Sequence, residues 1–226
     1  MRILIVSATE PEIASIVAGL DRLRPGDGDP PKRSAEPETT RAVSCEIEFL
    51  TTGVGMVATA AWCSRRFAER RYDLALNVGV CGSFDRALAP GVVVHVVEDR
   101  IAELGAEDCD EFLTIQEMNL PAESQFVNAA PPMNPAIAAL PAVRGITVNT
   151  VHGNERSIAD ARHRFNPQVE SMEGAAFMYA CLIHDVPFAQ VRAVSNVVET
   201  RNRDAWTMAD AIENLGRTVL RILEHA

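Results

Sequence analysis

Six stretches of the chain are mainly apolar, without the strict alternation of a one-sided strand: RILIVSA from residue 2, EIEFLTTG from 46, LALNVGV from 74, GVVVHVV from 91, GITVNTV from 145 and FAQVRAVSN from 188. Short runs of this kind read as strands buried on both faces of a sheet. Between several of them lie Ala-rich segments with helical spacing, over residues 56–70, 173–184 and 205–223. The succession predicts an α/β fold, with a mostly parallel or mixed sheet wrapped by helices and function gathered at strand carboxyl ends. Two stretches rich in Pro and polar residues, DRLRPGDGDPPKRSAEPETTR (residues 21–41) and NAAPPMNPA (residues 128–136), predict exposed connections. No repeat or low-complexity tract makes either one a domain linker, so residues 1–226 are read as a single domain, long enough to bury a substantial core.

Composition narrows the partners. No apolar run approaches the roughly eighteen residues of a membrane span, and MRILIVSATE reads as a strand rather than a signal peptide. A soluble, cytoplasmic protein is therefore expected. The five cysteines are widely spaced with no CxxC, which argues for reduced thiols and against a disulfide framework or zinc site. The five histidines show no i, i+4 pair suited to a metal, and neither a metal nor another cofactor is expected. A formal charge of −10, with no basic stripe, disfavours nucleic acid and points to a small-molecule partner.

Every segment with chemical character begins where a strand stops. In SATEPE, Thr9 and Glu12 have the spacing of a capping box, and acids suit a helix first turn. TTGVGMVATAAW fits a G-x-G-x-x-A dinucleotide fingerprint through Gly53 and Gly55, with Asp73 about twenty residues on. That pattern keeps a nucleotide-binding module as an alternative, although it follows the second strand instead of opening the fold. NVGVCGSF ends a strand with Gly79 and Gly82, which permit either a sharp turn or a close backbone approach. VESMEGAA places Glu170 and Glu173 three residues apart, and VRAVSNVVE closes a strand with Arg192, Ser195 and Asn196. Read singly, Arg192 suits a salt bridge and Asn196 a turn or cap.

In this order the five stretches resemble the nucleoside phosphorylase/nucleosidase family, and within it the branch that hydrolyses futalosine in menaquinone biosynthesis; the likeness runs from residue 1 to about residue 216. The resemblance implies a three-layer sandwich, a mixed central β-sheet flanked by helices. It assigns Glu12 to the proton of an attacking water, Glu173 to the sugar hydroxyls, Met172 to packing against the sugar and Arg192 to organising the carboxylates. Gly79 and Val80 are implied as substrate-binding. Phosphorylase members have an arginine and a serine for phosphate where this chain has Asn77 and Val80, so water is the expected nucleophile. Adenine-specific members have an aspartate where this chain has Asn196, whose side-by-side donor and acceptor suit a 6-oxopurine, hypoxanthine. A different purine nucleosidase, acting on methylthioadenosine or S-adenosylhomocysteine, or a purine nucleoside phosphorylase is the alternative within the family. A homo-oligomer is implied as well. Glu170 matches no family role and is expected to be exposed or salt-bridged. VHGNERS is expected to wall the base pocket, His152 and His163 are candidates for the substrate's carboxylated tail, Trp62 and Trp206 are expected to pack helices, and the acidic AELGAEDCDEF is expected to face solvent.

Overall fold

A computed structural model describes residues 1–22, 39–42, 45–109, 111–200, 202, 204 and 206–226. In chain order the strands are β1 (Arg2–Ser7), β2 (Thr39–Ala42), β3 (Cys45–Thr51), β4 (Leu74–Ser83), β5 (Val93–Ile101), β6 (Gly105–Asp108), β7 (Glu111–Thr114), β8 (Gln125–Val127), β9 (Ala142–Thr147), β10 (Val169–Ser171) and β11 (Phe188–Val197). The helices are α1 (Glu10–Arg22), α2 (Met56–Glu69), α3 (Pro135–Ala138), α4 (Glu155–Phe165), α5 (Gly174–Ile183) and α6 (Met208–Glu224).

Among the described residues nine strands join one sheet, in the order β10-β9-β5-β11-β4-β1-β3-β2, with β8 on the flank of β5. Strands β3, β1, β4 and β11 run parallel, so their carboxyl ends meet at one edge of the sheet. The apolar runs have no polar side because both faces are covered. Along β1, Ile3 and Ile5 enter a core with α1 and α6, while Leu4 and Val6 enter a second core with α2 and α5. Strand β4 divides likewise, Leu74, Leu76 and Val78 facing the first core and Ala75 the second. The mixed sheet wrapped by helices that the pattern predicts, and the three layers that the resemblance implies, are both observed.

Two features go beyond the pattern. Short β10 pairs with β9 on one side and, antiparallel, with the end of β4 on the other, so the strands β4, β11, β5, β9 and β10 close on themselves. In addition, residues 128–136 are not a wholly exposed connection. Asn128 and Asn134 are buried. Asn134 Oδ1 caps α3 by accepting from the Ala136 and Ile137 N–H groups, and its Nδ2 donates to the Ile222 carbonyl. A polar, Pro-rich string conceals this because asparagine serves equally as a loop residue and as a cap. Of the other expected connection, residues 23–38 lie outside the described residues, while Thr39–Ala42 pair antiparallel with β3.

Candidate active site

Two clusters of polar side chains lie against the last residues of β4, one at Gly79 and one at Gly82, and the pocket found there is lined at the Gly82 end. Beside the first part of this strand runs β1, which pairs only as far as Asn77, and beside its end runs β10, which pairs at Gly82 and Ser83. Between these partners the Val80 N–H donates to Glu12 Oε1 at 3.2 Å. The other oxygen, Oε2, accepts from the Thr9 N–H at 2.8 Å and the Thr9 hydroxyl at 3.0 Å, the carboxylate half of the capping box written in the sequence. Glu12 thus divides its oxygens: one caps α1 and the other reaches the sheet.

Arg192 lies opposite Gly79 on β11 and is 1% exposed. Its Nη1 stands 3.4 Å from Glu173 Oε2, and its Nη2 donates to Asn77 Oδ1 at 2.5 Å. Glu173, buried just ahead of α5, accepts through Oε1 from the Gly55 N–H at 3.2 Å. Gly79 is required here: a Cβ would lie 2.5 Å from Arg192 Nη1 and 2.7 Å from Glu12 Oε1. Glu12, Arg192 and Glu173 therefore gather over one backbone position. Met172 is half-buried beside Glu173, and Val80 is half-buried on β4.

Some ten ångströms further along the strand, at about 3.3 Å per residue, Gly82 separates two other side chains. A Cβ there would lie 3.4 Å from both Asn196 Nδ2 on β11 and Glu170 Cγ on β10. The β11 register against β4 shifts between Val194 and Asn196, leaving Ser195 as the extra residue of a bulge, and such bulges re-aim the side chain that follows. The Ser195 hydroxyl hydrogen-bonds the Cys81 carbonyl and Asn196 Oδ1, while Asn196 Nδ2 donates to the Val197 carbonyl. Glu170 and Asn196 share the lining of a pocket with Gly82, Val151, His152 and Trp206. Val151 and His152 of VHGNERS are among its lining residues.

Several expectations change. Of the two fates expected for Glu170, exposure fails and the ion pair holds: it is 3% exposed, accepts the His152 N–H at 3.1 Å and pairs with His152 Nδ1 at 2.5 Å. His163 sits exposed on α4, away from the pocket lining. Trp62 is 46% exposed, and Trp206 lines the pocket instead of packing only between helices. The acidic β6 segment is solvated as expected, with Glu107 and Asp108 exposed. The dinucleotide alternative fails on geometry. Gly53 and Gly55 follow the carboxyl end of β3, whereas Asp73 precedes the amino end of parallel β4, where its carboxylate accepts the Arg2 N–H at 2.7 Å. The two halves of that fingerprint lie at opposite ends of the sheet.

A buried polar cluster supports the site without lining the pocket. Asp99 on β5 accepts from the Thr147 hydroxyl and from Gln190 Nε2, both at 2.9 Å. Burial pushes its carboxyl up to about 6, against hydrogen bonds from Gln190 and Thr147 and the nearby Arg192 charge, which act to lower it. A Cβ on Gly174 would strike both Asp99 and Gln190, which accounts for the glycine of the M-E-G motif. The Cys81 thiol, beside the site on β4, is pushed up to about 12 by burial, so it is not a ready nucleophile.

Glu12, Glu173 and Arg192 thus gather in an α/β sandwich at the carboxyl ends of parallel strands. Residues 2–224 match the Phosphorylase superfamily, and the chain belongs to it. It is similar to a futalosine hydrolase from Acidothermus cellulolyticus, 31% identical over 234 residues that cover 99% of this chain and 87% of the relative. In fold it is similar to the futalosine hydrolase of Helicobacter pylori (TM-score 0.82, 15% identity, covering 100% of this chain and 98% of that one). It is equally close to the 5′-methylthioadenosine/S-adenosylhomocysteine nucleosidase of the same organism (TM-score 0.83, 14% identity, covering 100% and 99%). The fold alone therefore does not choose between those two activities.

Proposed function

We propose that the protein is a hydrolase that uses water to cleave the N-glycosidic bond of futalosine, releasing hypoxanthine. The observation that carries this reading is the division of the site along β4: carboxyl groups around one guanidinium at Gly79, and a carboxamide at Gly82. The substrate sugar lies over the Gly79 end and the base reaches the Gly82 end. As the C1′–N9 bond lengthens, positive charge develops on the sugar, and the Glu12 and Glu173 carboxylates stabilise it. Glu12, anchored through Oε2 by Thr9, takes a proton from the attacking water on Oε1. Glu173 accepts from the ribose hydroxyls, with Met172 packed against the ring, and Arg192 holds Glu173 in place.

Water is preferred to phosphate for two reasons. Asn77 is a neutral amide, donating to the Val6 carbonyl and accepting from Arg192, so it supplies no cationic clamp for an anion. Two carboxylates against one guanidinium also make this end unwelcoming to a dianion. At the other end, Asn196 Nδ2 has a second hydrogen for the 6-oxo group, and Oδ1 has a lone pair for a protonated N7. An adenine presents its amino group to the amide NH2, a mismatch that hydrogen-bonding sites punish strongly.

Placement in menaquinone biosynthesis and in the cytoplasm follows from the family likeness. So does a homo-oligomer, which is further supported by the exposed apolar side chains Val57 and Trp62 on α2 and Leu182 and Ile183 on α5, two helices that pack together. Incubating the purified protein with futalosine, inosine and methylthioadenosine, with and without phosphate, tests the reading by chromatography. Hypoxanthine released from futalosine without phosphate is expected. Adenine from methylthioadenosine as the dominant product selects the other nucleosidase, and an absolute need for phosphate selects a phosphorylase.

A further inference from the structure

The proposed reaction leaves one proton unaccounted for. A purine departs readily only if its ring nitrogen is protonated as the glycosidic electrons flow into it, and Asn196 has no acidic proton to give. Among the described residues lining the base pocket, the titratable side chains are His152, Glu170 and Glu199. Glu199 is exposed at the rim, and both oxygens of Glu170 are engaged by His152. The imidazole is held on one side by Glu170 at Nδ1 and on another by the edge of Phe84, ring centroids 5.9 Å apart. Its Nε2 is the nitrogen left for a ligand. A carboxylate on the far nitrogen of a histidine fixes its tautomer and stabilises the imidazolium, the arrangement that serves acid–base histidines elsewhere.

We infer that His152 is the general acid for the departing base and that Glu170 is its positioning residue, an assignment that rests on the nucleosidase reading above. The C1′–N9 bond breaks and its electron pair passes into the purine. A proton moves from His152 Nε2 to the base, directly or through one water, and the base leaves neutral as its N7–H tautomer, held by Asn196. Hydroxide from the attacking water joins C1′, Glu12 keeps that water's other proton, and exchange with solvent returns His152 to imidazolium and Glu12 to carboxylate. The charged groups around the imidazole are Glu170 from β10, Glu199 beyond β11, and Arg162 from α4, which stands over the Phe84 ring. This division of labour gives Glu170 a purpose that no local motif suggested.

The test compares two leaving groups. Hypoxanthine needs a proton to depart, whereas p-nitrophenolate from p-nitrophenyl β-D-ribofuranoside does not. For His152→Gln, kcat with futalosine or inosine is expected to fall about a hundredfold or more, the usual scale of general acid catalysis. Nitrophenol release is expected to stay within about threefold of wild type, because only that proton transfer is lost. The wild-type profile of kcat against pH is expected to fall at alkaline pH as the imidazolium is depleted, and His152→Gln is expected to lack this limb. In Glu170→Gln, kcat on the purine nucleosides should fall while nitrophenol release is spared, because the imidazole is no longer held at Nδ1, and Glu170→Asp should restore it in part. Equal losses on both leaving groups, no loss on either, or an unchanged alkaline limb in His152→Gln would overturn the assignment. If the wild type released base from no nucleoside, the nucleosidase reading would fail and take this one with it, a result distinct from any variant's behaviour.

Discussion

The Gly79 and Gly82 ends of the site lie on one strand but are built differently. At Gly79 the charged groups are buried, tied to main chain and to one another, and carried by elements that abut the sheet directly. At Gly82 the polar groups are paired two by two around an open pocket, and two of them depend on a bulge and on a short strand that closes the sheet. The first arrangement suits a charge that must be met by fixed dipoles with little reorganisation. The second suits reading and protonating a base that enters and leaves. On the proposed function, the Gly79 end serves bond cleavage and the Gly82 end the choice and release of the leaving group.

The largest effect expected comes from Glu12→Gln. Glutamine keeps the capping box, since the N3 position accepts either residue, but cannot take a proton from water. Base release is expected to fall about a thousandfold, within the range for a lost general base, while equilibrium dialysis shows substrate still bound and the melting temperature hardly moves. Normal turnover at saturation would reduce Glu12 to a cap.

Glu173→Gln follows. Loss of a charge-assisted bond costs about 1.5–3 kcal/mol, so kcat/KM for the ribonucleoside is expected to drop roughly ten- to a hundredfold. The drop should shrink for a substrate lacking the 2′-hydroxyl; an equal drop for both would detach Glu173 from the sugar.

A smaller change is expected at the other end. Asn196→Asp should shift the ratio of kcat/KM for aminodeoxyfutalosine over futalosine by about tenfold, the scale of one hydrogen bond's discrimination. An unchanged ratio would remove Asn196 from base recognition.

The smallest effect on turnover, and a distinct effect on stability, belongs to Asp99→Asn. Folded Asp99 holds its proton up to about pH 6, against an ordinary value of 3.8. The native state therefore binds more protons than the unfolded chain between these values, so this group makes stability fall as pH rises through the window, by ~3 kcal/mol in all. In the variant, denaturant melts at pH 4 and pH 7 should show that fall reduced. Gln190, whose Oε1 has no hydrogen-bond partner, can turn its amide to meet the new NH2. Parallel melts for the two proteins would mean that Asp99 ionises at no cost.

Much of the Gly79 end was legible in the sequence. The Thr9–Glu12 capping spacing, the unbroken apolar strands and the glycine after Glu173 are local signals whose physical causes appear unchanged in the fold. The Gly82 end was less so. Glu170 meets His152 across eighteen residues because β10 pairs in parallel with β9, whose chain runs on to His152, a pairing that three residues of strand do not announce. The bulge at Ser195 has no glycine to mark it. Trp206 lines the pocket from just ahead of α6, and no local motif places it there.

In the proposed reaction, water attacks the sugar carbon while Glu12 accepts its proton. Running the reaction on futalosine in phosphate-free H2(18)O and examining the sugar product by mass spectrometry under conditions that limit anomeric exchange tests this most directly. One 18O at C1′, together with free hypoxanthine, is the predicted result. Base release that appears only on addition of phosphate, with a sugar 1-phosphate in place of the labelled product, would contradict it.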